Sequence, residues 1–296
     1  MEALQVLAQL SMLVFVIGSM ASMGLSLTVQ EILAPLRNKR LVILALVANF
    51  ILVPLVAYLI TLVLPLADPL RIGLILLATA AGAPFLPKLA EVAKGSAAFA
   101  VGLMVLLMVV TVVYLPLVLP LLLGGVVVNP FDIAQSLIGL MLIPLSIGLL
   151  VKARYPEAAA NAQPTFGQAS NIAILVLTVL GLVLNFEGMI GLVGSFGLLA
   201  GLIFILASAA IGYGLGGHER SIKSVMGLGT GQRNIAAALV VAGQNFGLEV
   251  ITYLMVIAVI SLVVLMPLAG EFGKQVKRLE AKAREGHSLK ERKISG

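Results

Sequence analysis

The stretch ATAAGAPFLPKLAEVAKG, residues 78–95, begins like an apolar membrane helix and then breaks that helix. Pro84 and Pro87 each lack a backbone N–H and disfavour helix at the preceding residue, and Lys88 follows them at once. A second interruption lies in GLGTGQRNIAAALVVAG, residues 227–243, where three glycines loosen the backbone just before Arg233. Two broken apolar segments, each carrying a cation, are therefore the features that decide the fold.

Composition places the chain in a lipid bilayer. Of its 296 residues, 60% are hydrophobic and 11% are charged, whereas soluble domains carry roughly 25% charged residues. The apolar runs are uniform rather than alternating in polarity, which favours membrane helices over a membrane β-barrel. The chain has no cysteine, so disulfides, thiolate chemistry and Cys-ligated zinc are excluded.

Nine apolar segments are expected to cross the membrane. They are 5–27, 40–64, 70–93, 96–123, 133–151, 168–186, 190–215, 221–244 and 249–269, and the third and eighth are the interrupted ones. With the N-terminus outside, the predicted outside loops hold Arg71 as their one cation, in agreement with the positive-inside rule. The stretch KARYPEAAANAQPTFGQ, residues 152–168, is expected to be the longest loop.

The C-terminal tail, residues 271–296, is strongly basic. Eight of the 19 Lys and Arg residues follow Gly273, and a basic tail next to a membrane usually faces anionic lipid rather than nucleic acid. The tail is therefore predicted to be cytoplasmic, and to be helical between Glu271 and Glu285.

The two interrupted segments hold corresponding positions in two halves of opposite orientation. Such a pair indicates a secondary-transporter binding site near the bilayer midplane, because unpaired backbone groups persist at membrane depth only where protein, water, ion or substrate satisfies them. The sequence thus predicts one transmembrane transporter domain, residues 1–270, with repeats at about 1–124 and about 133–270.

The candidate site consists of the residues at the two interruptions. Arg233 lies near the middle of its span, where a charge usually marks a pathway, whereas Lys88 lies close enough to Lys94 that snorkelling to the interface stays an alternative. Glu91 lies three residues from both Lys88 and Lys94 and is interpreted as a local ion-pair partner, with a coupling carboxylate as the alternative. The predicted substrate contacts are Lys88, Arg233, Gln232, Asn234 and Phe85, the predicted helix-crossover residues are Pro84, Pro87, Gly229 and Gly231, and a possible ion shell comprises Asn49, Gln232 and Thr230.

Enzymatic function is disfavoured. The two histidines, His218 and His287, fall in a predicted loop and in the tail, away from any intramembrane Ser and carboxylate. The chain is therefore predicted not to be an enzyme and to need no cofactor or metal, apart from possible sodium ions.

Four stretches in register resemble the bile acid:sodium symporter family. GSMASMGLSLT (18–28) is similar to the glycine-rich end of the family's first core helix, and VANFILVPLVAYLI (47–60) to the helix that follows it. LATAAGAPFLPKLAEVAKG (77–95) and GQRNIAAALVVA (231–242) resemble the family's two crossing helices. The resemblance implies an all-α polytopic membrane protein of about nine transmembrane helices, with inverted repeats, two crossing broken helices, and core and panel subdomains. It also implies alternating-access uptake of an organic anion, usually coupled to two sodium ions.

The sequence departs from the family at the sodium positions. Where the first crossing helix of the family usually carries a polar pair, this chain has Leu86 and Pro87 before Lys88. Where the second crossing segment usually begins with Glu, it has Gly227 or Leu228. We therefore hypothesise that Lys88 and Arg233 take the electrostatic role of the sodium ions and attract an anion. Lys88 could alternatively lose its proton and support proton coupling.

The predicted function is sodium-independent secondary transport of an organic anion, such as a bile-acid-like molecule, a carboxylate or a sulfate. A sodium-coupled symporter with an altered site, and a uniporter or ligand sensor on the same fold, remain as alternatives. The expected partners are the substrate anion and the lipid bilayer, with no nucleic acid. The expected location is a bacterial inner (plasma) membrane, with the N-terminus outside.

Overall fold

The chain folds into a bundle of helices in the computed structural model, which describes residues 2–33, 37–123, 129–184, 192 and 194–294. Over residues 2, 3, 5, 178, 181–184 and 277–294 it describes the backbone alone. The regular elements of the described residues are all helical, as expected for an all-α polytopic membrane protein.

Twelve helices are described, two of which contain a short π-helical turn. In chain order they are α1 Glu2–Ser26, α2 Val29–Leu33, α3 Lys39–Val63, α4 Asp68–Thr79, α5 Leu86–Val92, α6 Ala97–Leu122, α7 Pro130–Arg154, α8 Pro156–Leu184, α9 Gly197–Leu215, α10 Arg220–Gly231, α11 Ile235–Asn245 and α12 Leu248–Ile294.

Six of these helices, namely α1, α3, α6, α7, α9 and α12, are long and apolar enough to cross a membrane. The two interrupted segments form helix pairs, α4 with α5 and α10 with α11. The sixth predicted span lies in the second half of α8, and its end at 186, like the start of the seventh at 190, lies outside the described residues. Large apolar side chains such as Leu117 (61% exposed) and Leu121 (80%) cover the outer surface of α6, which suits contact with lipid.

One local prediction was wrong. Residues 152–168 are not a loop, because α7 ends at Arg154 and α8 begins at Pro156. Proline is well placed in the first turn of a helix, and the alanines that follow favour helix although the segment is polar. The tail is helical between Glu271 and Glu285 as predicted, and α12 continues without a break to Ile294.

The π turns occupy comparable places in two helices. They span Ala48–Leu52 in α3 and Ile138–Leu142 in α7, and a proline follows closely in each case, Pro54 and Pro144. Proline cannot donate the next helical hydrogen bond, and π turns of this kind often occur at functional sites. The turn in α3 carries Asn49.

The helices pack in two groups. We call α1, α7 and α8 the panel: α1 packs along both of the others, and a Cβ on Gly24 of α1 would lie 2.9 Å from the Cα of Gly148 in α7. Only glycine allows two helices to approach so closely. The remaining long helices surround the two broken pairs, whose inner residues are almost completely buried.

Candidate functional site at the helix crossing

The two breaks meet in the interior of the protein. We call residues 80–85, which follow α4, and residues 232–234, which separate α10 from α11, the crossing. The backbone N–H of Asn234 donates to the carbonyl of Ala80 over 3.0 Å. The fold thus brings together two segments that lie about 150 residues apart in the sequence.

Asn234 joins the two breaks with its side chain as well. Its amide nitrogen donates to the carbonyls of Ala81 (3.3 Å) and Gly82 (3.0 Å), while its amide oxygen accepts from the N–H of Ala237 and caps the start of α11. Asparagine is among the best N-cap residues because its side chain satisfies a free N–H of the first turn. A predicted substrate contact therefore has its polar atoms engaged with the protein.

The non-helical backbone after α4 is also satisfied by α6. The hydroxyl of Thr111 accepts from the N–H of Ala81 (2.9 Å) and donates to the carbonyl of the same residue (3.1 Å). Gly82 has φ of +82°, and a Cβ there would lie 2.2 Å from the backbone nitrogen of Met108. The break can pass this close to α6 only because residue 82 is glycine.

Arg233 is the buried cation of the crossing, with 3% of its surface exposed. Its Nε donates to the carbonyl of Leu77 (3.0 Å) and its Nη2 to that of Ala78 (2.7 Å), both in the last turn of α4. Its Nη1 donates to the side-chain oxygen of Asn49 (2.8 Å) and to the carbonyl of Thr230 (3.3 Å). Four of the five guanidinium N–H groups are thus bound within the protein.

The partners of Arg233 are dipoles rather than charges. The carbonyls of Leu77 and Ala78 belong to the C-terminal end of α4, and that of Thr230 to the end of α10. The C-terminal end of a helix carries a partial negative charge. The ion pairs between described side chains are Arg71–Asp68, Lys88–Glu91 and Lys274–Glu271, so no carboxylate in the described part of the chain neutralises Arg233.

Asn49 and Thr230, two of the predicted ion-shell residues, complete this network. The Asn49 amide nitrogen donates to the carbonyl of Ala45 (3.0 Å) and to the hydroxyl of Thr230 (3.2 Å), while its oxygen accepts from Arg233. Both residues are fully buried. The π turn of α3 therefore presents an amide at the place where α10 ends.

Gln232, the third predicted ion-shell residue, lies at the crossing next to α12. Its side chain is 5% exposed, and its amide oxygen accepts from the hydroxyl of Ser261 (3.2 Å). The predicted crossover glycines lie in the last turns of α10, where Gly229 contacts Leu86 of α5, and Gly231 contacts Ala209 of α9.

The structure does not bring Lys88 to Arg233. Lys88 lies in the first turn of α5, its side chain is 56% exposed, and its ammonium is 2.8 Å from the carboxylate of Glu91. The ion pair between these two side chains follows the sequence interpretation. Phe85 precedes α5 and is 37% exposed, and Pro84 and Pro87 flank it in the break and in the first turn of α5.

Sequence reasoning missed Thr111, Ser261 and the carbonyls that hold Arg233. Thr111 had a signal, because Thr111 and Tyr114 are the polar residues of an otherwise apolar α6 from Val101 to Leu122. The carbonyls gave no signal in the sequence, because every residue carries a backbone carbonyl. Among the described residues, no group of three or more His, Cys, Asp or Glu side chains could hold a metal ion.

The chain is similar to a known protein family and to a plant protein. The family model for the Sodium Bile acid symporter family matches residues 12–212. The probable sodium/metabolite cotransporter BASS2, chloroplastic, of Oryza sativa subsp. japonica is 30% identical over 139 residues, which is 47% of this chain and 33% of that protein. The match thus spans a third of the length of the rice protein. The family match ends before residues 227–243, so the second break lies beyond the matched residues.

Proposed function

The chain belongs to the Sodium Bile acid symporter family, and from that membership we propose that it moves a small organic anion across the membrane by alternating access without sodium. It is an integral membrane protein of a transporter family. The observation that carries the proposal is the placement of the Arg233 guanidinium on the carbonyl ends of α4 and α10.

A tethered cation, meaning the Arg233 guanidinium that is part of the chain, accounts for the absence of the residues that usually bind sodium in the family. In transporters with broken helices, the unwound carbonyls and the C-terminal ends of half-helices coordinate the driving cation. Here the carbonyls of Leu77, Ala78 and Thr230 are held by Arg233. A guanidinium satisfies the same negative ends of the helix dipoles as a sodium ion would. Because it is part of the chain, it is not released with the substrate.

The charge of Arg233 supports an anion as the substrate. Its four partners are neutral oxygens, and no described carboxylate lies beside it. A buried, uncompensated cation in a medium of low dielectric attracts an anion strongly. One guanidinium N–H without a protein partner remains at Nη2. We propose that a carboxylate or sulfate oxygen of the substrate accepts this N–H, with Gln232 and Asn234 as its neighbours.

In this proposal Lys88 does not replace a sodium ion. Its ammonium is exposed beside Glu91 on α5, so the sodium-like role falls to Arg233 alone. We retain Lys88 and Phe85 as contacts that the anion meets before it reaches Arg233. The two inverted repeats, at about 1–124 and 133–270, and an inner-membrane location with the N-terminus outside belong to the same proposal.

Uptake by proteoliposomes tests the function. A thermal-shift screen of organic carboxylates and sulfates first identifies a ligand, and uptake of that ligand is then measured in sodium chloride and in choline chloride. Equal initial rates in the two salts are expected. Strict dependence on sodium, with two sodium ions moved per substrate, contradicts the tethered-cation mechanism but leaves anion transport intact.

A sodium-coupled symporter is the second candidate, favoured by the family description and by the name of the rice relative. It predicts that radioactive sodium accumulates together with the substrate, whereas the tethered-cation mechanism predicts none. A ligand sensor is distinguished by the absence of uptake. A uniporter is compatible with the Arg233 cation, and failure to accumulate the substrate against its electrochemical gradient separates it from a proton-coupled carrier.

A further inference from the structure

A cluster of exposed cations lies away from the crossing, at the end of the bundle where α3, α6 and α10 begin. We call this cluster the basic rim; it comprises Arg37, Lys39, Arg40, Lys94, Arg220 and Lys223. Five of these residues are exposed and Lys223 is half-buried. They come from three connections that are far apart in the sequence.

The packing of the chain brings these connections together. The N–H of Ser96 donates to the carbonyl of Ser221 over 3.1 Å, which joins the connection that carries Lys94 to the start of α10. A Cβ on Gly217 would lie 3.8 Å from the side chain of Leu41, so the connection before α10 also lies beside the start of α3. The rim is therefore one surface rather than three separate loops.

The positive charge of the rim is poorly compensated. None of its six cations is in an ion pair with a described carboxylate. Glu91 and Glu271, the nearby acids, are already paired with Lys88 and Lys274. The carboxylate of Glu219 accepts a hydrogen bond from Ser221 and is the one acidic side chain within the rim.

An aromatic pair lies beside the cations. The Lys223 ammonium is 4.4 Å from the centre of the Tyr213 ring, and Tyr213 stacks on Phe272 of α12 with 5.0 Å between ring centres. A crevice lined by Tyr213, Arg220, Ser224 and Phe272 opens at this point. Tyrosine is enriched where membrane helices meet the headgroup region, because its ring is amphipathic.

From this combination we infer that the basic rim binds the phosphate headgroups of anionic phospholipids. The cations are spread along the ends of membrane helices instead of converging on one point, which suits a lipid surface better than a single soluble anion. Basic pockets between the ends of membrane helices are suited to anionic headgroups. The acyl chains would lie along the apolar outer surface, with the stacked rings at headgroup level.

Native mass spectrometry of the purified full chain tests this site by titration with phosphatidylglycerol and with phosphatidylcholine. A basic residue close to an anionic headgroup strengthens binding by about fivefold, and the effect falls off within a Debye length, so Arg220→Gln with Lys223→Gln is expected to weaken phosphatidylglycerol binding by roughly 25-fold. Phosphatidylcholine binding should not change. The matched control, Lys152→Gln with Arg154→Gln, removes the same charge at the end of α7 and should leave the affinity close to that of the wild type.

A conservative pair separates headgroup binding from a structural role. Arg220→Lys with Lys223→Arg keeps both charges and is expected to keep the affinity. The inference is overturned if this pair weakens binding as much as the glutamine pair does, or if the two glutamine pairs have equal effects. Complete displacement of the lipid by millimolar inorganic phosphate would also overturn it, because that result identifies a site for a soluble anion.

Discussion

Replacement of Arg233 by alanine is the most direct perturbation of the crossing. It removes four hydrogen bonds from a charged donor. The carbonyl of Leu77 keeps a second partner, the N–H of Ala80. The other three acceptors are the side-chain oxygen of Asn49 and the carbonyl oxygens of Ala78 and Thr230. Among the hydrogen bonds described at the crossing, these oxygens have no other donor.

The magnitude follows from these three acceptors. A buried acceptor that loses its partner destabilises a protein by about 1–3 kcal/mol, which gives roughly 3–9 kcal/mol for three. The variant also avoids the desolvation of the guanidinium, which opposes folding by several kcal/mol, and water can enter the space left by the side chain. We therefore expect the lower end of the range, about 3 kcal/mol, which corresponds to a fall in Tm of about 6 °C for a chain of this size.

Thermal unfolding in detergent, at fixed salt, is the assay. Arg154→Ala is the control because Arg154 is an exposed arginine at the end of α7, and it should change Tm by less than about 2 °C. Arg233→Lys keeps the charge but offers three donors instead of five, so its Tm should fall between those of the wild type and Arg233→Ala. An unchanged or raised Tm in Arg233→Ala would refute the reasoning, because the carbonyl ends would then need no cation.

Three further predictions follow from local geometry. Gly82→Ala should destabilise the protein by about 3 kcal/mol or more, because it combines a strained φ with a backbone clash. The control Gly214→Ala, with open space around it, should raise or maintain Tm. Equal Tm values for the two variants would refute the close approach of the break to α6. Lys88→Gln should raise the KM of uptake several-fold and change Tm by less than about 2 °C, because its ion pair is exposed; an unchanged KM would remove Lys88 from the substrate path. Ser136 of α7 donates to Gln244 of α11 over 2.5 Å. Since the chain has no cysteine, a short thiol-reactive cross-linker can join Ser136→Cys to Gln244→Cys, and it should block uptake in the double variant but not in the single variants. Full uptake after complete cross-linking would show that the panel need not separate from α11.

An all-helical membrane protein with two broken helices was predictable from the sequence, because both breaks depend on residue types. Pro84 and Pro87 cannot continue a helix, and the glycines before Arg233 weaken one, so both helix ends could be placed within a few residues. The helix at 156–168 was not predictable from polarity alone, because polar residues are common in loops whereas the alanines of this stretch favour helix.

The candidate site was only partly predictable. Arg233 was identified by its depth in an apolar span, and Asn49 by its polarity. Their contact was not predictable, because it depends on the π turn of α3 and on the approach of α4 to α10. For Lys88 the sequence left both a buried and a snorkelling position open, because the side of a short helix that faces the protein is set by the packing of α5 against its neighbours.

The four bonds that fix the Arg233 guanidinium also bear on the direction in which such a transporter runs. A bound sodium ion that crosses with the substrate offsets the negative charge of an anion, but an arginine that never leaves the protein offsets nothing in the net movement. Each monovalent anion would then cross as one full negative charge, worth about 2.3 kcal/mol per 100 mV of membrane potential. With an interior-negative membrane, this favours exit from the cell by about 50-fold per 100 mV. A carrier built on this crossing would be electrogenic and, at equal substrate concentrations, would work as an exporter.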